Sequence, residues 1–233
     1  MSSILTNSAR KKFAELLRGS TLHMAWGTGV ASWGTDVEIT QSFPNDNLLN
    51  MAHSYIGSVV VRPAPSGDPY AVGTDYTVNL NTGVISRLVG GTIPANQSVK
   101  VNYHVNPAPA STTATDLIAE VGRRVISSKQ YAVPDSEGAI EVETGKFSLS
   151  PGNAITNHLL LEVAFLPSEA PTAQIKELGV FSDTIRVDGV SGALEYLLPN
   201  QVLSKGTLIT AHNLATIVRN NTSRETFRLV ITL

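Results

Sequence analysis

The feature that most limits the fold is the two-residue periodicity of residues 99–105. Val99, Val101, Tyr103 and Val105 alternate without a break against Lys100, Asn102 and His104. In an extended strand that spacing puts the four apolar side chains on one face, whereas a helix would scatter them around its circumference. Upstream, Tyr76, Val78 and Leu80 alternate, Asn81-Thr-Gly83 forms a turn, and Val84–Leu88 returns as a partner strand. With the turn at Gly90-Gly91 and Pro94, these runs predict a compact antiparallel, β-sandwich-like module with one buried face. Asn106–Thr113, rich in Pro, Ala and Thr, leaves it as a stiff polar connector. The module is expected to be an insertion over residues 37–110, and Phe43 to Ala52 fit either module or core.

The flanking segments, 1–36 and 111–233, are expected to form one β-rich core domain. Ala9, Phe13, Leu16 and Leu17 recur at a helical period and predict a helix over about 8–18, capped by Asn7 or Ser8 and ended by Gly19. Thr21–Gly29 reads as a strand running into a glycine turn. Leu117, Ile118, Val121 and Val125, with Thr113 and Asp116 at capping-box spacing, predict a second helix over about 116–127, against which Gly122 counts. Strands are expected again around Ile140–Val142, Phe147–Leu149, His158–Leu166, Ile175–Phe181 and Phe227–Leu233. The nearly unbroken apolar run at 158–166 marks a central strand. The fold class is therefore mainly β (α+β), with two short helices and an inserted β module.

Composition removes several function classes. The 233 residues contain no cysteine, so disulfides, thiolate metal sites and a cysteine nucleophile are excluded. Charged residues are only 15% of the chain and the net charge is −2, without the basic surplus of a nucleic-acid binder. No apolar run approaches the roughly 20 residues of a membrane-spanning helix. No export signal precedes the first charges, so synthesis in a cytoplasm is expected. Sustained apolar heptads are absent, which argues against a coiled-coil shaft.

Catalytic chemistry is hard to find. His23, His53, His104, His158 and His212 lie outside ligand spacing of one another. Gly27-Thr-Gly29 begins like a dinucleotide loop, but Ser32 stands where the third glycine belongs and no P-loop lysine follows. Asp135 with Glu137, and Glu141 with Glu143, read as solvated carboxylates. No catalytic, cofactor-binding or metal-ligating residue is assigned and no cofactor is expected. Contact residues are more readily named. Arg10, Lys11, Lys12 and Arg18 make the first helix basic, and Arg123-Arg124 do the same for the expected second helix, with solvated and subunit-contact readings both open. Trp26 and Trp33 flank the glycine loop and suit either core or a contact surface.

Three segments carry a resemblance. Ala25-Trp-Gly-Thr-Gly29 with Trp33-Gly-Thr, then Thr113-Ala-Thr-Asp-Leu-Ile-Ala-Glu-Val-Gly-Arg-Arg124, then Ile175-Lys-Glu-Leu-Gly-Val-Phe181 follow one another as in structural proteins of tailed-bacteriophage tails. The chain resembles their baseplate-peripheral or fibre-connecting subunits, and its 70–103 stretch is similar to a small β module found in virion proteins. The resemblance implies a non-enzymatic tail component in the virion, assembled in the host cytoplasm. Its implied partners are other tail or baseplate proteins and further copies of itself, as a trimer or ring, with no nucleic acid and no membrane. A receptor-binding module recognising a host-surface glycan or protein, or a neck connector, is the alternative.

Overall fold

A computed structural model describes residues 4–169, 173–220 and 222–233. The chain divides into two compact units, Met1–Gly29 with Ala110–Leu233, and Val30–Pro109. It opens with helix α1 (Asn7–Gly19) and strand β1 (Leu22–Gly27). Six strands then build the second unit: β2 (Asp36–Ser42), β3 (Leu48–Asn50), β4 (Ile56–Pro63), β5 (Tyr76–Asn79), β6 (Val84–Arg87) and β7 (Ser98–Val105). The first unit resumes with β8 (Glu120–Val125), β9 (Ser128–Pro134), β10 (Ile140–Val142), β11 (Gly145–Leu149), β12 (His158–Phe165) and β13 (Gln174–Ser182). It ends with β14 (Ile185–Arg186), β15 (Tyr196–Leu197), β16 (Val202–Ser204), β17 (Thr207–Val218) and β18 (Glu225–Thr232). The fold is mainly β, 47% strand against 8% helix, as the alternation requires.

In the first unit, β15-β8-β1-β13-β17 form one antiparallel sheet and β10-β11-β9-β12-β18 another. Leu22, Met24 and Trp26 of β1 and Ile175 and Val180 of β13 share one buried cluster with Leu159, Leu161, Val163 and Phe165 of β12. The two sheets therefore face each other across a common core. The intervening Leu160 of β12 joins Ala132, Phe147 and Val230 in a second cluster. Both faces of β12 are buried, which is why its sequence is an apolar run and not an alternation.

Helix α1 starts where the Thr6 hydroxyl accepts from Ala9 N at 3.3 Å. Gly19 stays helical, and Ser20 ends the helix in extended conformation by donating its N–H to the Leu16 and Leu17 carbonyls. The caps thus fall at Thr6 and Ser20, not at Asn7, Ser8 or Gly19. Ala14 is buried and Leu17 packs on the core, while Phe13 and Leu16 point outward.

The expected second helix over 116–127 is a strand. β8 pairs antiparallel with β1 on one side and β15 on the other. Two ladders outweigh a weak helical period, and β-branched Val121 and Val125 suit them. The supposed capping pair is engaged elsewhere: Thr113 with the Ser111 hydroxyl, Asp116 with Lys205 and with Leu117 N. Tyr196 of β15 lies against Gly122, where an added Cβ would sit 2.1 Å from its hydroxyl oxygen.

In the second unit, β2-β7-β4 and β3-β6-β5 are two three-stranded antiparallel sheets. The alternating Val99, Val101, Tyr103 and Val105 of β7 are buried with Phe43, Leu49, Ile85 and Trp33. Phe43 to Ala52, ambiguous in sequence, lie in this unit.

The strand assignment of β8 has a sign test. Gly122→Ala in a helix would stabilise by up to about 1 kcal/mol. Against Tyr196 it is expected to destabilise by about 1–3 kcal/mol, read as a lower urea midpoint.

Candidate functional site

The chemistry of the first unit is buried and structural. Glu177 in β13 is 1% exposed. Its carboxylate accepts from Ala119 N at 2.7 Å, Ile118 N at 2.9 Å and Gly29 N at 3.3 Å. These donors lie where β1 ends and where the chain approaches β8, and the β1–β8 register shifts between Trp26 and Gly27. A Cβ on Gly27 would sit 2.3 Å from the Glu177 carboxylate and 2.5 Å from the Ala119 carbonyl oxygen. Gly27 is therefore a close-approach glycine. The Gly27-Thr-Gly29 turn is held to a carboxylate of its own fold.

Three arginines are packed nearby. Arg123 is fully buried: it grips the Glu120 carboxylate with two bonds of 2.8 Å and donates to Thr184 Oγ1 and the Lys205 carbonyl at 2.7 Å. Its guanidinium lies 4.3 Å from the Phe181 ring centroid. Arg124 bridges Glu169 and Glu195. Arg219 donates to the Leu166 and Glu169 carbonyls and sits 5.4 Å from the Trp26 ring. Trp26 itself is fully buried, edge-on to Phe165 at 6.0 Å, and Trp33 lies in the core of the second unit. The structure thus places both tryptophans and Arg123 in core positions in this state of the chain.

The basic cluster of α1 is on the surface. Arg10 donates to the Leu5 carbonyl, Lys12 pairs with Glu15 at 2.8 Å, and Lys11 is exposed. Arg18 is instead tied to the body, donating to the Lys129 carbonyl and lying over the Tyr131 ring. Glu141 and Glu143 are exposed. Among the described residues no group of three His, Asp or Glu side chains is placed to hold a metal ion. His53, His104 and His158 each pair with a neighbour: Tyr103, Asp36 and Thr232. His212 lines an apolar cleft of about 230 Å³ with Met24, Leu178, Leu214, Phe227 and Leu229. That volume is below the usual range for small-molecule sites, about 300–1,000 Å³.

Residues 97–233, more than half of the chain, match the family described as baseplate wedge 3 tail fiber network component. The chain belongs to that family. It is a structural protein of a bacteriophage tail. It is also 33% identical over 86 residues to a tail sheath protein of Burkholderia phage BcepMu, an alignment covering 37% of this chain and 18% of that relative. The family span contains Arg123, Arg124 and Arg219 with their hydrogen-bonding partners, and Glu177, while Trp26 and Gly29 lie ahead of it. Sequence reasoning missed Glu177 although a signal was present: a charged pair, Lys176-Glu177, inside an otherwise apolar strand. Among the described residues no helix is long and apolar enough to cross a membrane.

Two stability tests follow from this geometry. Glu177→Ala leaves three backbone N–H groups without their acceptor and is expected to cost about 3 kcal/mol in urea unfolding, with Glu177→Gln costing less. The second concerns His23, which is 3% exposed with neither ring nitrogen hydrogen-bonded among the described residues. Burial, then the charges of Arg123 and Arg186, push its imidazole down to about 4. Above the ordinary value near 6.5 both folded and unfolded forms are neutral and the stability is full. Between there and about 4 only the unfolded chain takes up the proton, so stability falls on acidification, by about 3 kcal/mol in all. His23→Leu is expected to flatten the fall in urea midpoint between pH 7 and pH 4.5.

Proposed function

We propose that this chain is a non-enzymatic connecting subunit at the baseplate end of the tail, holding fibre-network and baseplate neighbours together as a symmetric homo-oligomer. The family match over residues 97–233 carries this reading. A non-catalytic role is supported by the use of the buried carboxylates. Glu177 is occupied by backbone donors, and Glu120 and Glu169 by arginines. Residues 30–109 are read as an inserted domain that widens the contact surface without changing the core. The expected trimer or ring would be formed in the host cytoplasm and carried in the virion.

A compact label fused after Leu233 and imaged in intact particles by electron microscopy is expected to place extra density at the baseplate end. Density at the neck, or particles lacking the labelled chain, would reject the placement.

A further inference from the structure

Helix α1 is built inside out. An isolated helix of 13 residues is marginal in water, so its stability comes from the face it packs. Toward the body it offers its smallest apolar side chain, fully buried Ala14, with Leu17 beside it. The larger apolar residues face solvent: Phe13 is 46% and Leu16 57% exposed. At about 100° per residue, Ala9, Phe13 and Leu16 lie within roughly 60° of arc, so they form one stripe. Ile4 and Leu5, just ahead of the helix, are exposed as well. An exposed apolar stripe of this kind marks an interaction site, whereas scattered apolar residues would not.

The charges beside the stripe identify the occupant. On the body side it is bordered by Leu17 and Arg10. On the free side it is bordered by one cation and one anion three residues apart, Lys12 and Glu15, which pair with each other within one copy and would exchange partners on docking. Two helices packed antiparallel bring like flanks together, so this arrangement is complementary to itself: Lys12 of each copy meets Glu15 of the other. A parallel pair would set Lys12 against the flank carrying Arg10, cation against cation. We infer that the outer face of α1 docks a second copy of this chain, with the two helices antiparallel, Phe13 and Leu16 at the seam and two reciprocal Lys12–Glu15 pairs at its edge.

The size of the contact sets its strength. A helix about 20 Å long pressed against its copy buries on the order of 800–1,000 Å² in total, below the 1,200–2,000 Å² usual for stable pairs. The pair is therefore weak in solution and becomes firm where an assembly holds the copies close together. The inference rests on the assembly reading: a two-fold contact of this kind joins copies in pairs, between trimers or rings and not within one, and the two readings fail separately.

Analytical ultracentrifugation of the full chain between about 1 and 200 µM is expected to show a reversible monomer–dimer equilibrium, the regime of micromolar affinity. Phe13→Ser and Leu16→Ser should each weaken pairing at least tenfold, with a melting temperature unchanged at concentrations where the parent chain is monomeric, since neither side chain belongs to the buried core. Lys12→Glu alone and Glu15→Lys alone should each fail to pair with themselves, yet pair when mixed in equal amounts, because each then presents the opposite charge to the other. Three results would overturn the inference: a monomer throughout that range, a dimer indifferent to Phe13→Ser and Leu16→Ser, or charge variants that do not pair on mixing. A monomer that still enters tails, its α1 covered by a different tail protein, overturns the pairing and leaves the structural role standing.

Discussion

The first unit depends on one carboxylate. A carboxylate side chain in an inner strand of a buried sheet is unfavourable unless hydrogen bonds replace its water. Glu177 receives three, all from backbone N–H groups near the point where the β1–β8 register shifts. The ladder and the carboxylate thus satisfy each other: the donors lie just past the end of the β1–β8 pairing, and the carboxylate accepts from them. Gly29 is the last residue of the first unit before Val30, and Ala119 stands ten residues past Pro109, so the same group holds the end of β1 to the segment that leads into β8.

Buried arginines extend this logic. Arg123, Arg124 and Arg219 lie among Glu120, Glu169, aromatic rings and main-chain carbonyls. A chain with only 15% charged residues has committed several of them to its interior. The surface left over is correspondingly poor in charge and carries large apolar groups such as Ile118, Leu203 and Val218. Depletion of charge is what separates the core of a protein–protein contact from ordinary surface. The arginines thus serve the interior by neutralising its carboxylates and serve the exterior by being absent from it.

Legibility in the sequence followed period. β7 was plain because one face is buried and the other solvated, and β12 because its length and apolar continuity leave few alternatives. β8 was misread because Leu117, Ile118, Val121 and Val125 satisfy a helical period by coincidence. What decides the matter, two neighbouring strands and a tyrosine seated on Gly122, is nonlocal. The placement of the arginine pair at 123–124 was hidden for the same reason: on a helix it reads as a solvated end or a subunit contact, while on a strand alternate residues face opposite sides. Trp26 and Trp33 could not be apportioned between core and surface, since the same residue types suit both. Glu177 was detectable as a charge in an apolar strand, but its partners are some 60 and 150 positions away and leave no local mark. The family resemblance was visible because glycine-marked turns keep their order along the chain.

The matched family span poses a structural question that the sheet order answers. Residues 97–233 contain β8 and β13 but not β1, and β8 and β13 do not pair with each other; each pairs with β1. Without Leu22–Gly27 the sheet would split into two pieces with bare edges, and Trp26 would be missing from the cluster that joins it to the opposite sheet. Strand β1, which lies ahead of the family span, is therefore the middle of the first unit's sheet and not an appendage to it. Helix α1 is joined to that middle strand across only Ser20 and Thr21, and Arg18 and Lys129 tie the joint to β9. A load applied to the outer face of α1 passes directly into a strand bonded on both sides, which suits a helix that is gripped by a neighbour.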